Sequence, residues 1–96
     1  MALTDLLATG ALDAAAQMGL RVPGDVSVTG IDDLPGSDAR GLTTALVPYR
    51  PMGELAGGVL VARIAGEPPP PLPALPAPLA IRTSTGPHPA GSPAPS

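Results

Sequence analysis

The sequence predicts a small α/β fold, and two neighbouring patterns support that prediction. Residues 3–18 have apolar side chains at the three-to-four spacing of a helix, and Gly19 follows where a helix can end in the left-handed conformation. Pro23 and Gly24 then interrupt the chain before residues 25–31, which are rich in β-branched side chains and suit one short buried strand. A helix that leads into such a strand is half of an α/β unit, and such units bind ligands just beyond the carboxyl end of the strand.

The first helix has a recognisable start. Thr4 is an acceptable N-cap, and Asp5 places negative charge in the first turn, where the helix dipole favours it. The apolar spacing predicts one face that packs into the core, formed by Leu7, Ala11, Ala14, Ala15 and Met18. Because this face is rich in small residues, it suits close packing against a sheet or against another helix.

A second extended segment and a second helix follow. Residues 41–47 favour a strand, and residues 51–65 have helical spacing, with Pro51 suited to the first turn and Gly66 to the C-cap. The apolar positions of this helix are Met52, Leu55, Ala56, Val59, Leu60 and Ile64.

The remaining chain is dominated by proline. Residues 67–78 cannot form a helix or a central strand, and we expect an extended polyproline conformation that serves as a linker. Residues 79–81 can form one short strand, and residues 87–96 are predicted to be a disordered tail.

Composition excludes several classes of site. The 96 residues include 15 Pro, 12 Gly and a single aromatic residue, so the core is expected to be thin. The net charge is −3 and the five arginines are dispersed, which argues against a nucleic-acid surface. Absence of cysteine excludes disulfides and thiolate metal sites, and no apolar run approaches the roughly 20 residues of a membrane span. We therefore expect a cytoplasmic protein without a metal or cofactor.

Four stretches of the chain carry a family pattern. Residues 19–33 read GLRVPGDVSVTGIDD and residues 42–44 read LTT, a combination that resembles the LacI/GalR-type transcriptional regulators. Residues 4–12 resemble the NDxxAxGAL helix start of that family, and residues 78–85 resemble its closing LVxRxST strand. The resemblance identifies residues 1–86 as the C-terminal part of a periplasmic-binding-protein-like (type I) sensor domain, as an incomplete fragment of that fold.

This resemblance implies an allosteric regulator. The expected partners are a small sugar-like or nucleoside-like effector and a second copy in a homodimer, with DNA bound only through a helix-turn-helix region that this chain does not contain. By analogy, residues 1–33 and 79–85 belong to the C-terminal subdomain, and residues 42–47 and 51–65 belong mainly to the N-terminal one. Because the resemblance covers only part of the sensor domain, we expect either a truncated remnant of a regulator or a gene whose start codon is assigned too late.

Two other functions remain open at this point. A sugar-binding protein of a transport system has the same fold. Residues 68–78 could also bind an aromatic groove in a partner, although no basic residue flanks them closely.

Asp5 is the candidate ligand-binding residue. By the resemblance, the matching aspartate faces the cleft and accepts hydrogen bonds from effector hydroxyls, whereas spacing alone favours stabilisation of the helix N-terminus. Asp32 and Asp33 are predicted to form a turn beside that cleft. No arrangement of side chains indicates a nucleophile or a metal site, so we predict that the protein is not an enzyme.

Overall fold

The computed structural model describes residues 1–87, so the predicted tail lies outside the described residues apart from residue 87. The fold is α/β, as predicted. Its elements in chain order are α1 (Asp5–Gln17), β1 (Thr29–Ile31), β2 (Thr43–Ala45), α2 (Tyr49–Ala65) and β3 (Leu79–Ala80). None of the helices in residues 1–87 is long and apolar enough to cross a membrane.

Local signals define both ends of α1. The Thr4 hydroxyl accepts a hydrogen bond from the Leu7 amide at 3.3 Å, which confirms the predicted N-cap. At the other end Gly19 has φ +74°, and the Leu20 amide donates to the Ala15 carbonyl at 2.8 Å. This hydrogen bond from the second residue beyond the C-cap is the mark of a Schellman motif, so the predicted left-handed ending is confirmed.

The three strands form one mixed sheet in the order β1-β2-β3. β1 and β2 are parallel, with Thr29 opposite Thr43, whereas β2 and β3 are antiparallel, with Thr44 opposite Ala80. The predicted strand at residues 25–31 is shorter than expected. Residue 25 is the end of a turn over residues 22–25, in which the Arg21 carbonyl accepts hydrogen bonds from the amides of residues 25 and 26, and residues 26–28 are outside the strand.

The predicted apolar face of α1 is wrong, apart from Ala15. Leu7 and Met18 are 58% and 73% exposed, and Ala11 and Ala14 are also exposed. The face that packs against β1 is formed instead by Asp5, Ala8, Leu12 and Ala15. The physical reason is that the buried face is fixed by the partners of Asp5, and the two alanines allow the helix to lie close to the sheet.

A small apolar core lies between α1 and the sheet. Ala8 and Leu42 are fully buried and Val28 nearly so. Three partly buried side chains pack around them, those of Ala2, Leu12 and Val22. The core contains no aromatic side chain, as the composition predicts.

The chain forms two compact units. The first comprises Met1–Leu46 and the described residues from Pro78 to residue 87, and the second comprises Val47–Ala77. The expectation that residues 42–47 group with α2 is therefore wrong for β2. The reason is hydrogen bonding, since β2 is the central strand between β1 and β3.

In the second unit, α2 has little buried surface. It has Pro51 in its first turn and ends at Gly66 with φ +71°, both as predicted. Ala62 is its only buried residue, whereas Leu60 and Ile64 are 62% and 86% exposed. Residues 67–78 contain neither helix nor strand, and with α2 they line an apolar groove of about 450 Å³.

Candidate functional site

A polar turn follows β1 at the carboxyl end of the parallel strand pair. The backbone is left-handed at two consecutive residues, with φ +113° at Asp32 and +56° at Asp33. Aspartate tolerates this conformation better than most residues because its short side chain can hydrogen-bond locally. The predicted turn is therefore confirmed, and it occupies the position where α/β folds bind ligands.

Every amide of this turn has a partner in the protein. The Asp32 amide donates to the carbonyl of Ala45 at 3.0 Å, which extends the β1–β2 ladder. The Asp33 amide donates to Oγ1 of Thr44 at 3.3 Å, and the Leu34 amide donates to Oδ2 of Asp5 at 2.8 Å. One backbone carbonyl, one hydroxyl and one carboxylate thus fix three successive residues.

Asp5 lies at the centre of this arrangement, and its side chain is almost entirely buried at 1% exposure. Oδ1 accepts a hydrogen bond from Oγ1 of Thr44 at 2.6 Å. Oδ2 accepts from Oγ of Ser37 at 2.5 Å in addition to the Leu34 amide. The structure therefore brings Asp5 beside the Asp32–Asp33 turn, but its carboxylate points into the protein.

The close approach of Asp5 to β1 requires a glycine. A Cβ atom built on Gly30 would overlap the carboxylate of Asp5 and lie 3.2 Å from its Cα. Gly30 is buried in the middle of β1. The absent side chain therefore makes room for the carboxylate between the helix and the sheet.

The pKa of the Asp5 carboxyl reflects opposing influences. Burial raises the pKa, because it disfavours the charged form. Hydrogen bonds from the three donors lower it, and so does the positive charge of Arg82. The lowering prevails, so the pKa of Asp5 lies below the ordinary carboxyl value and the group is ionised at neutral pH.

Arg82 holds the same turn from another direction. Its Nη1 donates to Oδ1 of Asp33 at 2.9 Å and to the carbonyl of Leu42 at 2.9 Å. The two side chains of this ion pair are only 22% and 34% exposed. The turn is therefore tied both to α1 through Asp5 and to the closing segment of the chain through Arg82.

A second polar contact set lies at the amino end of the strands. Oγ of Ser84 donates to the carbonyl of Val28 at 2.6 Å and accepts from the Thr43 amide at 2.8 Å. Oγ1 of Thr43 lies 2.8 Å from Oγ1 of Thr85. Consecutive strand residues face opposite sides, so Thr43 contacts the closing segment whereas Thr44 contacts Asp5.

A surface pocket of about 420 Å³ is lined by Asp5 and by residues that follow the turn. It lies between the first turns of α1 and residues 34–40. Arg40 lines it and pairs with Asp13 of α1 at 2.8 Å. Its walls are otherwise largely apolar, formed by Leu6, Leu34, Pro35 and Ala39.

The sequence did not predict the partners of Asp5. Ser37 and Thr44 lie 32 and 39 residues away from it in the chain, and nothing in the local pattern pairs them with Asp5. The two adjacent threonines of β2 are one signal that could have indicated a partner for Asp5. Consecutive strand residues face opposite sides, so one of the two hydroxyls must lie on the side of α1. Among residues 1–87 there is also no group of three His, Cys, Asp or Glu side chains placed to hold a metal ion.

Comparison with known proteins identifies the family of the chain. The family described as periplasmic binding protein-like domain matches residues 1–85. This chain belongs to that family. Its relatives within the family are transcriptional regulators, so the predicted resemblance to LacI-type sensor domains is confirmed.

Two relatives illustrate the similarity. The HTH-type transcriptional regulator MalR of Streptomyces coelicolor is 45% identical over 69 residues, which cover 70% of this chain and 20% of that protein. The HTH-type transcriptional repressor PurR of Salmonella arizonae is 46% identical over 67 residues, which cover 66% and 19%. The chain thus spans about a fifth of the length of these relatives.

A solved structure extends the comparison to three dimensions. A LacI family transcriptional regulator from Arthrobacter sp. FB24, in complex with lactose, superimposes with a TM-score of 0.70 at 32% identity. The match covers 88% of this chain and 33% of that one. The chain therefore corresponds to part of the periplasmic-binding-protein-like fold of LacI-family regulators.

Proposed function

We propose that this chain is the effector-sensing part of a LacI-type transcriptional regulator. The observation that carries the proposal is the left-handed Asp32–Asp33 turn, held at the carboxyl end of β1 by three consecutive amide hydrogen bonds. Family membership and the named relatives support the same reading. The effector is a small polar molecule of the sugar or nucleoside class.

The proposed mechanism is allosteric rather than catalytic. An effector changes the population of two conformations only by binding one of them more tightly. In the assembled regulator that difference changes the affinity for DNA, and the DNA contacts come from a region outside this chain. Asp5 lies beside the turn and supports the effector site in this proposal, in place of the direct hydrogen bonds to the effector that the resemblance implies.

The proposal includes a homodimer and a cytoplasmic location. The face of α1 that does not enter the core is apolar and exposed over more than three turns, at Leu7, Ala11, Ala14 and Met18. Such a face suits a second copy of the same helix. The location follows from the relatives, which are regulators of transcription.

The test is a titration of the isotope-labelled full chain, followed by NMR, with lactose, adenosine and, as an osmolyte control, glycine betaine. We expect lactose or adenosine to shift the amide signals of residues 30–34 and 44–46, while betaine leaves them unchanged. Shifts scattered over the surface, or none with either ligand, would count against an effector site here. Conversion of either ligand to a product in proportion to intact Asp5 would contradict the non-enzymatic assignment.

A further inference from the structure

We propose that Asp5 is a positioning residue, which sets the conformation of the Asp32–Asp33 turn from inside the protein and does not itself contact the effector. The inference deepens the proposed function and rests on it for the location of the effector site. The role of Asp5 as a support of the turn can be measured without any effector.

The first argument is the occupancy of the carboxylate. Both of its oxygens accept hydrogen bonds from the protein, one from Thr44 and the other from Ser37 and the Leu34 amide. The side chain is 1% exposed. Asp5 borders the pocket between α1 and residues 34–40, but it is so little exposed that an effector hydroxyl could bond to it only if Leu34 or Ser37 moved aside, at the cost of their hydrogen bonds to the carboxylate.

The second argument is the conformation that these contacts maintain. Residues with a Cβ atom rarely adopt positive φ, and two in succession persist only where the surroundings hold them. Thr44 is the link, because its hydroxyl donates to Asp5 and accepts from the Asp33 amide. The charge of Asp5 thus orients the hydroxyl that holds the turn.

The third argument is that the turn is fixed from two sides. Asp5 and Thr44 hold its backbone amides, and Arg82 holds the side chain of Asp33. Asp33 and Arg82 lie nearer the surface than Asp5. Asp5 therefore acts as the inner support of a turn whose outer face is left for the effector.

The experiment measures hydrogen exchange of the Asp33 and Leu34 amides in the full chain. We expect Asp5→Asn and Thr44→Val each to reduce their protection about tenfold, the effect of losing one buried hydrogen bond. The Leu20 amide, which closes α1, reports whether the fold is intact and should keep its protection. Thr44→Ser restores the hydroxyl and should restore the protection of the turn.

Two control variants make the same substitutions at other sites, and so test whether the effect depends on where the side chain lies. Asp13→Asn makes the same change at an exposed site of α1, and Thr83→Val makes the same change at an exposed threonine whose hydroxyl contacts the carbonyl of Gly41. Neither should alter exchange in the turn. If Asp5→Asn unfolds the chain, Ser37→Ala removes a single donor from the same carboxylate and should lower the protection of Leu34 alone.

Lactose binding then distinguishes positioning from contact. If Asp5 acts through the turn, Thr44→Val and Ser37→Ala weaken lactose as Asp5→Asn does, and the double variant of Asp5 and Thr44 is no weaker than either single one. The proposal would be overturned if only Asp5→Asn weakened lactose binding. It would also be overturned if the Asp33 and Leu34 amides exchanged at the wild-type rate in every variant. If the wild-type chain binds neither lactose nor adenosine, the proposed effector site fails, whereas the exchange data still decide the role of Asp5.

Discussion

Ser84 and Val28 are joined by a hydrogen bond of 2.6 Å from the serine hydroxyl to the valine carbonyl oxygen, 56 residues apart in the chain. The same hydroxyl accepts from the Thr43 amide at 2.8 Å. A side chain therefore bridges the backbones of two neighbouring segments just before they become paired strands. Ser84 is 3% exposed, so water cannot replace either hydrogen bond without opening the structure.

Replacement of this serine should destabilise the fold. Ser84→Ala leaves the Thr43 amide and the Val28 carbonyl buried without that partner, and we expect the free energy of unfolding to fall by about 1–3 kcal/mol. Urea denaturation measures the change. Ser27→Ala is the control, since the Ser27 hydroxyl bonds to Gly86 at an exposed site. Equal stability of the Ser84 variant and the control would contradict the bridging role.

Two glycine-to-alanine changes should have opposite effects. A Cβ at Gly30 would overlap the Asp5 carboxylate, so Gly30→Ala should lower the free energy of unfolding by about 1–3 kcal/mol. A Cβ at Gly10, within α1, meets no atom within 4 Å. Gly10→Ala should therefore raise the free energy of unfolding by about 0.5–1 kcal/mol through helix propensity. Thermal unfolding of both variants tests the close approach, and a stabilised Gly30 variant would disprove it.

The stability of the fold should depend on the ionisation of Asp5. The folded-state pKa of Asp5 is lowered, so its contribution is present above the ordinary carboxyl value of about 3.9 and is lost as the pH falls through the lower folded value. Asp5→Asn should reduce this acid-dependent loss. Unfolding free energies measured from pH 6 downward test the expectation, with Asp13→Asn as an exposed comparison. If the unfolding free energy of Asp5→Asn fell at low pH as steeply as that of the wild type, the hydrogen bonds around Asp5 would not depend on its charge.

Charges on the exposed face of α1 should affect association and not folding. Leu7 and Met18 are mostly exposed, so Leu7→Glu and Met18→Glu should change the free energy of unfolding by no more than about 0.5 kcal/mol. If this face pairs two copies, both variants should shift sedimentation toward the monomer at concentrations where the wild type dimerises. Ala8→Glu is the contrasting change, because Ala8 is fully buried and a charge there should prevent folding. Dimerisation unaffected by either exposed charge would assign the contact to another surface.

Local structure was predictable where the signal was local. Thr4 and Gly19 end α1 as the sequence indicates, because capping depends on residues within one turn. The buried face of α1 was not predictable, since an aspartate takes the place that an apolar residue would be expected to fill. Asp5 can be buried because distant donors satisfy it, and neither Ser37 nor Thr44 is marked as such a donor by its neighbours.

The pairing of segments shows the same division. A strand near residue 43 was expected, but its place between β1 and β3 depends on contacts with residues 78–85. In the sequence Arg82 is one of five dispersed arginines and a member of the closing motif, whereas in the structure it holds Asp33 and the carbonyl of Leu42. Contacts across about 40 residues leave no periodic trace in the sequence, so neither the second anchor of the turn nor the grouping of β2 could be read from it.

The Leu46 amide donates to the Pro78 carbonyl at 2.8 Å, so the two residues of the first unit that flank residues 47–77 lie side by side. In chain topology, residues 47–77 are thus an insertion between two segments of the first unit. Replacing residues 47–77 with a short glycine-containing turn should leave the first unit folded. The loop that folding must close is then shorter, so less conformational entropy is lost on folding. The shortened chain should keep the exchange protection of the Leu20 and Leu34 amides. Loss of that protection would show that the first unit needs residues 47–77 to fold.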